Sequence, residues 1–222
     1  MKLVAILAIV CLASAVAAGA SKIDDALIEQ FLRSGRPELT SCAARRVLTA
    51  STMGGRLRAR LEVWTYLDRD GTFRFDVIRG DGSRLLLEHV LIAALETERR
   101  SRDPRVMAEV ALTPANYDFD VAGPASDGLV NIRLIPRRRS PMLLEGLVVV
   151  RQDNGDVVRV EGRPSEPPSS WTTRVDIIRR YERIGGVRVP VEMVSEAQVR
   201  LAGASSFSMT YHYTIINGQA VR

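Results

Sequence analysis

The chain has 222 residues, with 31 Lys and Arg against 26 Asp and Glu and a formal net charge of +5. The charges are interspersed, so the basic balance implies weak attraction to anionic surfaces and excludes a nucleic-acid code. Two cysteines and two histidines leave little for a disulfide framework or a metal centre.

The first twenty residues carry Lys2, an uncharged apolar run from Leu3 to Ala18, and small residues ending Ala18-Gly19-Ala20. That is the pattern of a secretory signal peptide cut after Ala20, with a periplasmic destination. Cys11 lies inside the apolar run, preceded by Ile9-Val10, and does not fit a lipoprotein signal. Residues 21–222 then suit one domain, large enough to bury a core without covalent staples. Cys42 is the one thiol left after cleavage, and burial is its expected fate.

In the mature chain, Asp24 to Arg33 places Leu27, Ile28, Phe31 and Leu32 on one face of a short amphipathic helix that Gly35 and Pro37 stop. Three strand-like runs follow, separated by Gly54-Gly55 and Asp70-Gly71, the dipeptides of tight hairpins. In the second run Leu57, Ala59, Leu61, Val63 and Thr65 alternate with Arg58, Arg60, Glu62, Trp64 and Tyr66, so its two faces are unlike.

Gly82 to Arg100 is the long helical pattern of the chain. At 3.6 residues per turn Leu87, Val90, Leu91, Ala94 and Leu95 share one face, and Ile92 falls among polar neighbours. A weaker helical piece spans Arg105 to Leu112. The β pattern then resumes: Val130 to Ile135, Leu144 to Arg151 and Val157 to Val160 around Asn154-Gly155, and Thr173 to Ile184 and Val187 to Val194 across Gly185-Gly186. Pro190 implies an edge or a bulge. In the last strand Phe207, Met209, Tyr211, Tyr213 and Ile215 alternate with Ser208, Thr210, His212 and Thr214.

The fold class is therefore mainly β (α+β). About ten antiparallel strands form a strongly curved sheet or half-open β-barrel, with an N-terminal helix and a central helix packed in its concavity.

Two stretches, GLVVVRQDNGDVVRVEG and YERIGGVRVPVEMVSEAQV followed by FSMTYHYTI, carry a resemblance. Together with the apolar leader and the central helix between β-meanders, they resemble the superfamily of bacterial outer-membrane lipoprotein-sorting proteins. Its members are the periplasmic lipoprotein carrier, its outer-membrane acceptor and the related anti-sigma-factor regulator. The resemblance spans residues 21–222 as a pattern of elements and turns. It implies a half-open barrel with helices as a lid and an apolar cavity for acyl chains of lipids or lipoproteins. The carrier's functional arginine and the acceptor's apolar loop match no particular residue here.

Catalytic chemistry has little support. There is no G-x-S-x-G elbow, and His89 and His212 both fall on polar faces. No cofactor, metal or catalytic residue is expected, and the chain reads as a non-enzyme. The expected site is an apolar cavity lined by Trp64, Tyr66, Leu91, Ile92, Leu95, Trp171, Tyr181, Met209, Tyr211 and Tyr213. Arg137, Arg138 and Arg139 are the candidates for contact with an anionic membrane surface, against the simpler alternative of a solvated corner. The expected role is an exported carrier for lipid, lipoprotein acyl chains or another extended apolar ligand. The alternative is a periplasmic sensor or regulatory module that contacts an envelope protein.

Overall fold

The computed structural model describes residues 24–170, 172–200 and 203–221. The leader and its cleavage site at Ala20, and the candidate Trp171, lie outside the described residues. Helix α1 covers 24–33. Strands β1 (Cys42–Thr52), β2 (Leu57–Leu67) and β3 (Phe73–Gly82) form a meander. A continuous helical run, α2, follows as Arg84–Leu86, Leu87–Ile92 and Ala93–Arg100, and a short helix α3 spans Pro104–Val110. The second meander is β4 (Tyr117–Ser126), β5 (Leu129–Pro136), β6 (Leu144–Arg151), β7 (Val157–Pro164), β8 (Thr172–Ile184), β9 (Val187–Val199) and β10 (Gly203–Ile216), with β11 (Gln219–Ala220) folded back on β10.

Among the described residues these strands make one curved, open antiparallel sheet in the order β3-β2-β1-β10-β9-β8-β7-β6-β5-β4. The expected class is correct, with eleven strands and no closure into a barrel. The two meanders join where β1 pairs with β10, Leu48 opposite Met209. This leaves β3 and β4 as opposite edges, and the α2–α3 segment is the crossover that links them. A chain that must travel from one edge to the other crosses a face of the sheet, and the apolar stripe of α2 makes that face the concave one.

One-face alternation follows the sheet from end to end. Leu61, Leu48, Met209, Met193, Arg179, Val160, Val148 and Ile132 are linked by cross-strand pairing and so share the concave face. That face carries two cores. Leu27 and Phe31 of α1 pack with Val130, Ile132, Leu134, Val148, Val150, Val157 and Val160. Leu86, Leu91 and Leu95 of α2 pack with Leu48, Leu61, Val63, Phe73 and Met209. The expected N-terminal and central helices are both there, each covering its own lobe.

Two local features differ from the sequence pattern for physical reasons. Leu87–Ile92 is wound as a π-helix, which takes about one residue more per turn than an α-helix. The buried spine is accordingly Leu86, Leu91 and Leu95, spaced five and then four. The extra residue turns Ile92 from the polar side towards the α2 core, where it packs half-buried. Pro190 lies on the interior strand β9, and the alternative of a bulge holds: the β8–β9 register shifts at Arg180/Tyr181, where Tyr181 faces Pro190.

A seam of arginine and tyrosine between two apolar lobes

Between the two cores the concave face is polar and aromatic. Arg46 is in phase with Ala44, Leu48 and Ala50 on β1, so alternation drives its side chain under α2, where it is 3% exposed. There Nη1 donates to Glu98 of α2 at 2.6 Å and Nη2 donates to the other carboxylate oxygen at 3.2 Å. Such a two-pronged pair holds the last turns of α2 in one orientation. Arg102 donates to the same carboxylate at 3.1 Å. The Arg46 guanidinium also lies over the Tyr211 ring, 4.6 Å from its centroid, and over Phe73 at 5.2 Å, the geometry of cation–π contact. Among the described residues, buried Arg46 Nε has no hydrogen-bond partner.

Burial alone would disfavour both charges. It pushes the Glu98 carboxyl up, but Arg46 and Arg102 outweigh it and hold the group below its ordinary value. For Arg46, burial lowers the pKa and Glu98 more than restores it. The pair is therefore charged in the folded protein, and each member is what makes the other tolerable beneath the helix.

Along the seam, Tyr211 and Tyr213 stack with ring centroids 6.1 Å apart and an interplanar angle of 8°. The Tyr213 hydroxyl donates to the Pro190 carbonyl at 2.9 Å, and burial raises the pKa of both phenols. Arg179 lies on the same floor and donates to Met193 Sδ at 3.5 Å. At the α1 end Arg183 grips Asp156 with two donors, at 2.7 and 3.0 Å, and donates to the Ser34 carbonyl at 2.9 Å. Arg188 donates to Ser34 Oγ at 3.0 Å. These contacts tether the end of α1 to the β8–β9 and β6–β7 hairpins.

The structure gathers five of the ten predicted cavity residues at the α2 core and places four others elsewhere. Leu91, Leu95 and Met209 are buried in the α2 core, with Ile92 and Tyr211 packed on its flank. Tyr213 packs against a small third core around Val187, Val189 and Ile216, and Tyr181 packs on the α1 lobe. Trp64 and Tyr66 point the other way. They alternate with Leu61, Val63 and Thr65, so they line the convex face, where Arg74 stands over the Tyr66 ring at 5.4 Å.

Sequence reasoning missed Arg46, Glu98, Arg102 and Arg179. The signal was present in Arg46: a charged residue in phase with the apolar positions of its own strand.

The basic corner is engaged with its own chain. Arg137 donates to the Asp118 carboxylate at 2.5 Å, Arg138 to Asn116 Oδ1 at 2.8 Å and the Glu109 carbonyl at 2.5 Å, and Arg139 to the Ser165 carbonyl at 3.3 Å. All three remain exposed. Asn116 is itself buried and donates to the Ala108 and Ala111 carbonyls, so this corner ties α3 to the β5–β6 connection.

Hollows lie on the convex side. One of about 430 Å³ is lined by Thr49, Ser51, Arg58, Arg60, Asp81 and Ser206 among others, and one of about 240 Å³ by Arg60, Glu62, Arg79 and Asp81. Cys42 is buried, and burial raises its thiol pKa, which works against nucleophilic use. His89 and His212 are exposed. Among the described residues no group of three or more His, Cys, Asp or Glu is placed to hold a metal ion, and no helix is long and apolar enough to cross a membrane.

No family model matches the chain, and no curated protein matches it. Among solved structures, the crystal structure of MucB aligns with it at 11% identity, over 86% of this chain and 92% of that one, with a TM-score of 0.29. A likeness this remote carries no argument about function.

Proposed function

We propose that the protein is an exported, non-enzymatic binding protein that holds an extended apolar group, such as a lipid or lipoprotein acyl chain, between its concave sheet and α2. The observation that carries this reading is the row of half-buried side chains flanking α2. Ile92, Met193, Phe207 and Tyr211 border the fully buried Leu91 and Leu95 without being sealed by them. Apolar surface exposed beside a helix is removed from water when a chain-like ligand lies along it, at about 25 cal/mol per Å². A ligand lying between the sheet and α2 enters by displacing the helix, because Leu91 and Leu95 are fully buried against the sheet. The Arg46–Glu98 pair is the polar contact that such a displacement must break.

The test is mass spectrometry of organic extracts from natively purified protein, combined with titration of a fluorescent fatty acid. A co-purifying amphiphile and saturable uptake are expected. Ile92→Glu weakens retention while circular dichroism stays unchanged. Protein that is reproducibly empty and takes up no fatty acid overturns the reading.

A second reading, a regulatory module contacting an envelope protein, is favoured by the convex hollow of about 430 Å³, which is open, with Arg58, Arg60 and Asp81 among its lining residues. Empty protein that captures an envelope protein through this face supports it instead.

A further inference from the structure

Among the described residues the sheet has two free edges, β3 and β4, and they are unlike. β4 carries Pro124, which has no N–H to offer, and two register irregularities, at Val121/Gly123 and at Pro124/Ser126. These are devices that stop an edge strand from pairing with another chain. β3 has a single irregularity: Glu62 pairs with Arg79 and Val63 with Val77, which leaves Ile78 as the extra residue of a bulge. Around it Arg74, Asp76, Arg79 and Asp81 face Tyr66, Trp64, Glu62 and Arg60, all on the convex side. Between the charges Val77 is 52% exposed and Ile78 47%.

Along the strand the order is Arg, Asp, Val-Ile, Arg, Asp, and it is complementary to its own reverse. An antiparallel second copy, related by a two-fold axis through the Val77-Ile78 step, sets Asp76 against the second copy's Arg79 and Arg74 against its Asp81. Each pairing occurs twice, as isologous symmetry requires. The bulge makes this possible. Residues facing each other in an antiparallel pair point to the same side of the sheet, and without the extra residue Asp76 and Arg79 would point to opposite sides. Val77 and Ile78 of both copies then meet at the centre. The present ion partners, Arg79 with Asp81 at 2.7 Å and Arg74 with Asp68 at 3.1 Å, are solvent-exposed, so exchanging them sacrifices little.

We infer that β3 is a self-association edge whose occupant is β3 of a second copy of this chain, extending the sheet across a two-fold axis. Sedimentation velocity over a concentration series tests it, with circular dichroism confirming that each variant is folded. The wild type is expected to form a reversible dimer that weakens with salt. Asp76→Arg places like charges together twice, raising the dimer dissociation constant about tenfold or more. Combining it with Arg79→Asp restores the dimer, because opposite charges then meet again. Ile78→Glu, at an exposed position, abolishes the dimer and leaves the fold intact. A wild type that is monomeric at every concentration overturns the inference. So does a double variant no better than Asp76→Arg alone, or a monomeric protein cross-linked through β3 to a strand of a different protein.

Discussion

The lobe under α1 and the lobe under α2 solve the same problem in different ways. The α1 lobe is apolar throughout, and Phe31 meets Phe119 edge-on with ring centroids 5.4 Å apart. Its buried Tyr117 hydroxyl accepts the Leu144 backbone N–H at 3.0 Å, so the polar tip is satisfied inside the core. Gly155 lets the β6–β7 turn touch the helix: at φ +68°, a Cβ there would fall 2.5 Å from Phe31 N. The α2 lobe instead places an arginine beneath its helix, neutralises it from the helix itself, and winds that helix with a π-turn. Both helices combine an apolar core with an ion pair, but for α1 the pair, Arg183–Asp156, sits at the helix end, whereas for α2 it lies beneath the helix. The proposed ligand side is the α2 lobe, where Ile92, Met193, Phe207 and Tyr211 stay half-buried beside the helix.

The largest effect is expected at Phe31 in the α1 lobe. Phe31→Ala removes a ring that is 3% exposed from the α1 lobe and is expected to cost about 3–5 kcal/mol. Denaturant unfolding should show an unchanged fold with a lower midpoint.

In the α2 lobe, Glu98→Leu leaves Arg46 buried and unpaired, at a cost of about 3 kcal/mol. The double variant Arg46→Leu with Glu98→Leu should recover most of that loss, because an apolar pair replaces both charges. A double variant as unstable as the single one would show that the pair matters for more than mutual neutralisation. The same pair gives the lobe a pH dependence. The folded-state pKa of Glu98 is held below its ordinary value of 4.5. Its contribution is therefore complete above that value and is lost as pH falls below it, through the folded pKa. Thermal melts from pH 6 to pH 3, a range of roughly one unit and a half either side of the ordinary carboxylate value, should show a steeper decline for the wild type than for the double leucine variant.

The smallest effect is expected at the basic corner. Arg137→Ala removes an exposed ion pair with Asp118 and should change stability by no more than about 0.5 kcal/mol.

Much of the fold was legible because hairpin chemistry is local. Gly54-Gly55, Asp70-Gly71, Asn154-Gly155 and Gly185-Gly186 each lie at a turn between paired strands, and the alternation of β2 and β10 follows directly from a two-faced sheet. What stayed hidden was either non-local or out of period. β4 escaped because Gly123-Pro124 interrupts it, which an edge strand tolerates readily and an interior one only at a bulge. The position of Ile92 was obscured by the π-turn, since a helical wheel assumes a constant period. Trp64 and Tyr66 were legible as one face of β2; assigning them to a cavity overlooked that Leu61 and Val63 claim the helix side. The seam was hardest, because Arg46 and Glu98 are 52 residues apart and no spacing rule connects a strand to a crossover helix.

The junction of the two meanders has a kinetic consequence. β1 is an interior strand of the finished sheet, yet one of its two neighbours is β10, with Cys42 opposite Ile216. Until the final long strand docks, one side of β1 has no partner, and the α2 core lacks Met209. Every other pairing among the described strands joins neighbours in the chain, so the closure that brings β10 to β1 carries the largest loop entropy and is expected to be the slow step. Until it is complete an interior strand is, for practical purposes, an edge, which exposes it to pairing with a neighbouring chain.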